Sequence, residues 1–111
     1  MPEPLKIQQK WEDMARYAYV LLRSLPKSER FTLGAEIRQS VWQGCRLIAR
    51  AAFARNRMPL LYDLDAEIKM LQAMIRLGHG LKIVSDKQYR ILSEMLTEIG
   101  KMTGGWMRSQ K

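Results

Sequence analysis

The 111-residue sequence has few of the residues on which enzymes and metal sites usually depend. It contains one cysteine, Cys45, and one histidine, His79. A single cysteine has no partner for an intrachain disulfide, and no group of Cys and His shows the spacing of metal ligands. A glycine-rich phosphate loop and paired carboxylates at bundle metal spacing are also missing. The sequence therefore predicts a protein that is not an enzyme and has no catalytic residue, metal or cofactor.

Long hydrophobic runs and strand patterns are absent as well. No stretch of about 18 residues is free of charge, and the first residues lack the apolar region of a signal peptide. We find no internal repeat and no alternation of apolar and polar residues typical of a strand. We expect one soluble, cytoplasmic domain over residues 1–111, which is long enough to bury a core without disulfides.

What the sequence does contain is four stretches with apolar residues at alternating spacings of three and four. This spacing keeps one side of a helix apolar and predicts helices at about 5–24, 26–55, 60–79 and 85–108. Pro26 is placed at the start of the second helix, and Ser85 with Gln88 forms the pattern of a capping box before the fourth. The simplest way to bury four such stripes is an all-α, antiparallel, up-down-up-down four-helix bundle.

The two chemically distinctive side chains both have structural explanations. Cys45 lies on the apolar stripe of the second helix, and we interpret it as a buried thiol that packs as a small hydrophobe. His79 falls near the end of the third helix, where a cation complements the helix dipole.

The second helix is apolar over more of its circumference than one bundle requires. A further strip beside its core stripe contains Phe31, Trp42 and Phe53, and the third helix is similarly widened. Such surplus apolar surface is usually covered by another subunit, although a single bundle with a broad core remains an alternative. The residues predicted to form an oligomer interface are Phe31, Trp42, Ala49, Phe53, Met70, Met74 and Leu77.

The charge is strongly basic, with 19 Lys and Arg against 11 Asp and Glu and a net charge of +8. All charges between Ile37 and Tyr62 are arginines, and a guanidinium can bind phosphate through two hydrogen bonds. A nucleic acid is therefore the favoured partner. The alternatives are a membrane surface as the partner, or a basic face that is only solvated and binds no partner. Without any base-reading motif, we expect contacts to backbone and shape. The predicted nucleic-acid-binding residues are Arg16, Arg23, Arg38, Arg46, Arg50, Arg55, Arg57, Lys69 and Arg76.

Three segments resemble a known family over about residues 11–106. They are residues 23–38 (RSLPKSERFTLGAEIR), 61–71 (LYDLDAEIKML) and 98–106 (EIGKMTGGW). Together these segments are similar to the Avd family, the accessory variability determinants of diversity-generating retroelements. The first segment is shared with the broader four-helix-bundle proteins encoded in intervening sequences of bacterial 23S ribosomal RNA genes.

The resemblance implies more than the residues alone establish. It implies a ring-like homo-oligomer, specifically a pentamer, that binds RNA or DNA and associates with the reverse transcriptase of the retroelement. Such proteins support mutagenic retrohoming and perform no chemistry themselves. The alternative is a structural or interaction protein of the intervening-sequence type, without a specific nucleic-acid role. Membrane-surface binding is disfavoured because the apolar faces are assigned to the core and to subunit contacts.

Overall fold

The structure, a computed structural model, describes residues 3–110, with the side chain of Glu3 excepted. It contains four α-helices: α1 (Glu3–Ser24), α2 (Leu33–Phe53), α3 (Met58–Gly80) and α4 (Asp86–Arg108). Helix α2 packs on α1 and α3, and α4 packs on α3 and α1, so the helices occupy the corners of a square in chain order. The predicted all-α four-helix bundle is confirmed, and no strand occurs in residues 3–110.

The largest difference from the sequence prediction lies between α1 and α2. Pro26 was expected to open the second helix, but a short 3-10 turn at Lys27–Glu29 follows it and α2 begins only at Leu33. Helix α2 then ends at Phe53 rather than Arg55. The connection before α2 is stabilised by local hydrogen bonds, among them one from the Thr32 hydroxyl to the Glu29 carboxylate at 3.0 Å. The chain thus turns twice where the periodicity alone indicated continuous helix.

A single core runs through the bundle. Its buried residues lie mostly on the sides of the helices that the apolar spacing predicted, although Cys45 and Ala52 of α2 and Met95 and Met102 of α4 are only half-buried. The core includes Ile7, Trp11, Met14, Ala18 and Leu21 of α1, Ile37, Val41, Leu47, Ile48 and Ala51 of α2, Leu61, Leu64, Ile68, Leu71, Met74 and Ile75 of α3, and Leu92, Leu96, Ile99 and Trp106 of α4, together with Leu22, Leu25 and Val84.

One contact fixes the distance between α1 and α2. The indole of Trp11 lies directly against Gly44, where an added Cβ would stand only 1.9 Å from Trp11 Cζ2. The same indole donates a hydrogen bond from Nε1 to the carbonyl oxygen of Val41 at 2.9 Å. A large aromatic ring therefore fills the space that a side chain at position 44 would need, and the two helices approach closely.

The α3–α4 turn agrees with the sequence prediction. The capping box is present, because Ser85 Oγ accepts from the Gln88 backbone and the Gln88 side chain accepts from the Ser85 backbone, each at 3.1 Å. Helix α3 ends at Gly80, within one residue of the predicted end. The left-handed residue of this turn is Lys82, with φ of 63°.

No helix within residues 3–110 combines the length and the hydrophobicity needed to cross a bilayer.

Candidate nucleic-acid interface

A groove of about 620 Å³ runs along the outer surface between α1 and α2. Its floor and walls are largely apolar and come from Ala15, Val20, Val41 and Cys45. The groove exists because Trp11 and Gly44 hold the two helices close beneath it, while larger side chains stand up on both sides. Its lining is more apolar than that of the neighbouring depression that contains Arg30 and Arg38.

Trp42 lines this groove instead of standing on the far side of α2. Its indole Nε1 donates a hydrogen bond to the hydroxyl of Tyr19 on α1 at 2.8 Å. The hydrogen bond holds the indole at a defined position across the helix pair, although Trp42 remains 52% exposed. The sequence prediction grouped Trp42 with an oligomer interface, whereas the structure places it beside cationic residues.

Arginines stand along the rim of the groove. Arg16 and Arg23 line it from α1, and a neighbouring depression of about 530 Å³ shares Tyr19 and Arg23 and adds Arg30, Phe31 and Arg38. Arg30 was missed by sequence analysis because Glu29 and Glu36 flank it along the chain. In the fold Glu29 bonds Thr32 instead, and Arg30 faces the same depression as Arg23 and Arg38. The structure therefore brings three of the predicted basic residues and one additional arginine to one face.

Most of these guanidiniums have no carboxylate partner. Arg23, Arg30 and Arg38 form no ion pair within 4.0 Å inside the described part of the chain. Arg16 differs, because its guanidinium lies 3.1 Å from Asp13 and 3.9 Å from Glu12. The rim thus carries a net positive charge, which is moderated only at the Arg16 end.

The remaining predicted basic residues are dispersed. Four of them are exposed and unpaired within residues 3–110, with Arg46 and Arg50 on α2, Arg55 after it and Arg76 on α3. Lys69 forms an ion pair with Asp65 on α3. Arg57 has a structural role instead: its Nε donates to the carbonyl oxygen of Ala51 at 2.8 Å and its Nη2 to that of Ala52 at 3.3 Å, so it caps the end of α2.

The predicted oligomer residues also divide. Phe31 and Phe53 are 90% and 91% exposed, and Ala49, Met70 and Leu77 are exposed too. Met74 is only 6% exposed and belongs to the core, so its assignment to a subunit interface was wrong. The four-helix packing covers a wider sector of α3 than the narrow stripe assumed from the sequence.

Cys45 and His79 both lie in surroundings that give them structural contacts. Burial raises the pKa of the Cys45 thiol, so little of the nucleophilic thiolate is present at neutral pH. His79 Nε2 lies 2.6 Å from Asp86 Oδ1, and its ring stacks on Tyr89 with centroids 4.3 Å apart. These contacts join the end of α3 to the start of α4. Within residues 3–110 no three potential metal ligands come together.

Comparison with known proteins assigns the sequence to a family. No curated protein matches the sequence. The family model described as bAvd-like matches residues 5–110, which is nearly the whole chain and all four helices. Because the match extends over more than half of the sequence, the chain belongs to the bAvd-like family.

Proposed function

We propose that this protein is a non-catalytic accessory of a diversity-generating retroelement that binds template nucleic acid and the reverse transcriptase. Membership of the bAvd-like family, an accessory and non-catalytic group, supports the first part of this proposal. The nucleic-acid part depends on the side chains of the α1–α2 face. The binding of reverse transcriptase follows from the family resemblance alone.

The observation that carries nucleic-acid binding is the convergence of Arg23, Arg30 and Arg38 without acidic partners. Guanidiniums packed on one face repel one another, and a polyanion removes that repulsion while displacing its own condensed counterions. The planar fork of each arginine can bind a phosphate through two hydrogen bonds. Binding a phosphate backbone should therefore lower the free energy of this face relative to its exposure to solvent.

A salt titration of single-stranded RNA binding tests this proposal. Each arginine that contacts a phosphate contributes roughly 0.7 to the slope of log affinity against log salt concentration. The double variant Arg23→Gln with Arg38→Gln should therefore bind more weakly and lose about 1.4 from that slope. A matched variant, Lys87→Gln with Lys101→Gln, removes two charges from α4 and should leave the slope nearly unchanged.

Arg57 is excluded from the variants because its loss would remove the cap of α2 and mix stability with binding. Binding that is absent, or that does not depend on salt, would favour the interaction protein without a nucleic-acid role. Equal losses from the two double variants would mean that only the total charge matters and that the α1–α2 face is not the site.

The exposed apolar residues of α2 and α3 support a second part of the proposal, which is self-association. Phe53, Met70 and Leu77 are 91%, 51% and 61% exposed, and none of them lines the groove or the depression beside it. We assign them to contacts between copies of the chain in a ring-like homo-oligomer, for which the resemblance implies five subunits.

A further inference from the structure

We propose that the α1–α2 groove receives unpaired nucleobases, so that the natural ligand is single-stranded nucleic acid and not a duplex. This inference rests on the proposed nucleic-acid binding and adds the form of the ligand. Its basis is the aromatic lining of the groove, which phosphate binding alone does not explain.

Trp42 differs from the other two tryptophans. Trp11 and Trp106 are 1% and 2% exposed and belong to the core, whereas Trp42 leaves about half of its surface open. The only polar atom of the Trp42 side chain, Nε1, already donates a hydrogen bond to the Tyr19 hydroxyl at 2.8 Å, so the exposed surface of the indole that remains is apolar. Flat aromatic surface of this kind stacks with nucleobases irrespective of sequence, because every base has a π-face.

The arrangement of charge around the groove fits a single strand. Arg16 and Arg23 line the groove from α1 together with Glu12, and Arg38 of α2 lines the neighbouring depression. A strand whose phosphates lie along the rim can turn its bases inward onto the rings. A duplex keeps its bases stacked inside and presents only phosphates, so it would leave the aromatic lining unused.

A second exposed aromatic residue lies next to the groove. The neighbouring depression, which shares Tyr19 and Arg23 with the groove, contains Phe31. Phe31 lies in the connection before α2, whereas Trp42 lies within α2, so the two aromatic side chains come from different elements of the same face. Single-strand binding sites combine such successive aromatic residues with a cationic track.

The experiment compares three ligands of equal length: an oligouridine, an abasic oligonucleotide with the same backbone charge, and a duplex. We expect the oligouridine to bind most tightly and to quench the fluorescence of Trp42. Trp42→Leu should weaken oligouridine binding roughly 5- to 150-fold, the loss of one stacked base, and leave abasic binding and the salt slope unchanged. Trp42→Phe should retain most of the affinity, because it keeps an aromatic ring.

The matched control is Tyr62→Leu, which removes an aromatic ring of similar exposure from α3, outside the groove. It should bind all three ligands like the unaltered protein. Circular dichroism should show unchanged helix content for Trp42→Leu, since the side chain is not part of the core.

Two results would overturn the inference. If oligouridine and the abasic strand bound equally and Trp42→Leu had no effect, base stacking would be refuted, whereas the proposed phosphate binding would stand. A smaller oligomer for Trp42→Leu by light scattering would show that another copy of the chain covers the groove. Absence of salt-dependent binding to any ligand would instead refute the proposed function itself, and the inference with it.

Discussion

Replacing Gly44 with alanine should destabilise the protein, although alanine is the better helix former. A Cβ at this position would lie 1.9, 2.4 and 2.6 Å from three atoms of the Trp11 ring, about 1.5 Å short of ordinary contact at the closest. Trp11 cannot retreat easily, because its indole is 1% exposed and bonded to the Val41 carbonyl. Helix α1 must move outward or the indole must leave its site.

The magnitude follows from two opposing effects. Overpacking a core costs about 1–3 kcal/mol, and complete loss of tryptophan packing costs up to about 5 kcal/mol. Alanine returns up to about 1 kcal/mol through its higher helix propensity. Because an approach of 1.9 Å is a severe clash, the upper ends of these two costs apply, and subtracting the gain from alanine we expect Gly44→Ala to lower the free energy of unfolding by about 2–4 kcal/mol, measured by urea denaturation at a fixed protein concentration.

Gly100→Ala is the matched control for this substitution. Gly100 also lies inside a helix, but its added Cβ would meet only Ile68 Cγ2 at 4.0 Å. This variant should be as stable as the unaltered protein or up to about 1 kcal/mol more stable. Trp11→Leu combined with Gly44→Ala should lose less than the sum of the single changes, since the clash is removed. If Gly44→Ala behaved like Gly100→Ala, the close approach of α1 and α2 would be refuted.

Two further predictions concern the α3–α4 turn and the outer apolar surface. Lys82→Gly should raise the free energy of unfolding by up to about 1 kcal/mol, because lysine has a positive φ of 63° there and glycine adopts this φ without strain. Lys82→Ala should give no gain in the free energy of unfolding. Equal effects of the two substitutions would contradict this reasoning. The double variant Phe53→Ser with Leu77→Ser should shift the mass measured by light scattering towards that of the monomer. Leu81→Ser, which changes an exposed residue after α3, should leave the mass unchanged. An unchanged mass for the double variant would place the subunit contact elsewhere.

The helices and most of the core could be predicted from the sequence because they depend on local patterns. Spacings of three and four locate the buried stripes, and the Ser85 and Gln88 pair locates the start of α4. The region after α1 was mistaken for helix because Pro26 is compatible with a first helical turn. A proline fixes its own backbone angle but does not reveal whether the following residues continue as helix or as a 3-10 turn.

The candidate site was less predictable, since it depends on how neighbouring helices are arranged. Arg23 and Arg38 were identified from charge alone, but nothing local indicates that they share one face. Arg30 was overlooked because acidic residues flank it in the chain, although Glu29 accepts a hydrogen bond from Thr32 and Arg30 lines the same depression as Arg23 and Arg38. The position of Trp42 depends on Tyr19, which lies 23 residues earlier on another helix. Arg57 looked like a binding residue because a hydrogen bond to a backbone carbonyl leaves no trace in the sequence.

The contact between Trp11 and Gly44 has a consequence for molecular recognition. The aperture of the α1–α2 groove is set by core packing directly beneath it, so the free protein already holds the shape that a ligand would meet. A preorganised cleft avoids the entropy loss of ordering on binding. Changing the bulk of these two buried neighbours should therefore alter the width of the groove without changing any side chain that lines it.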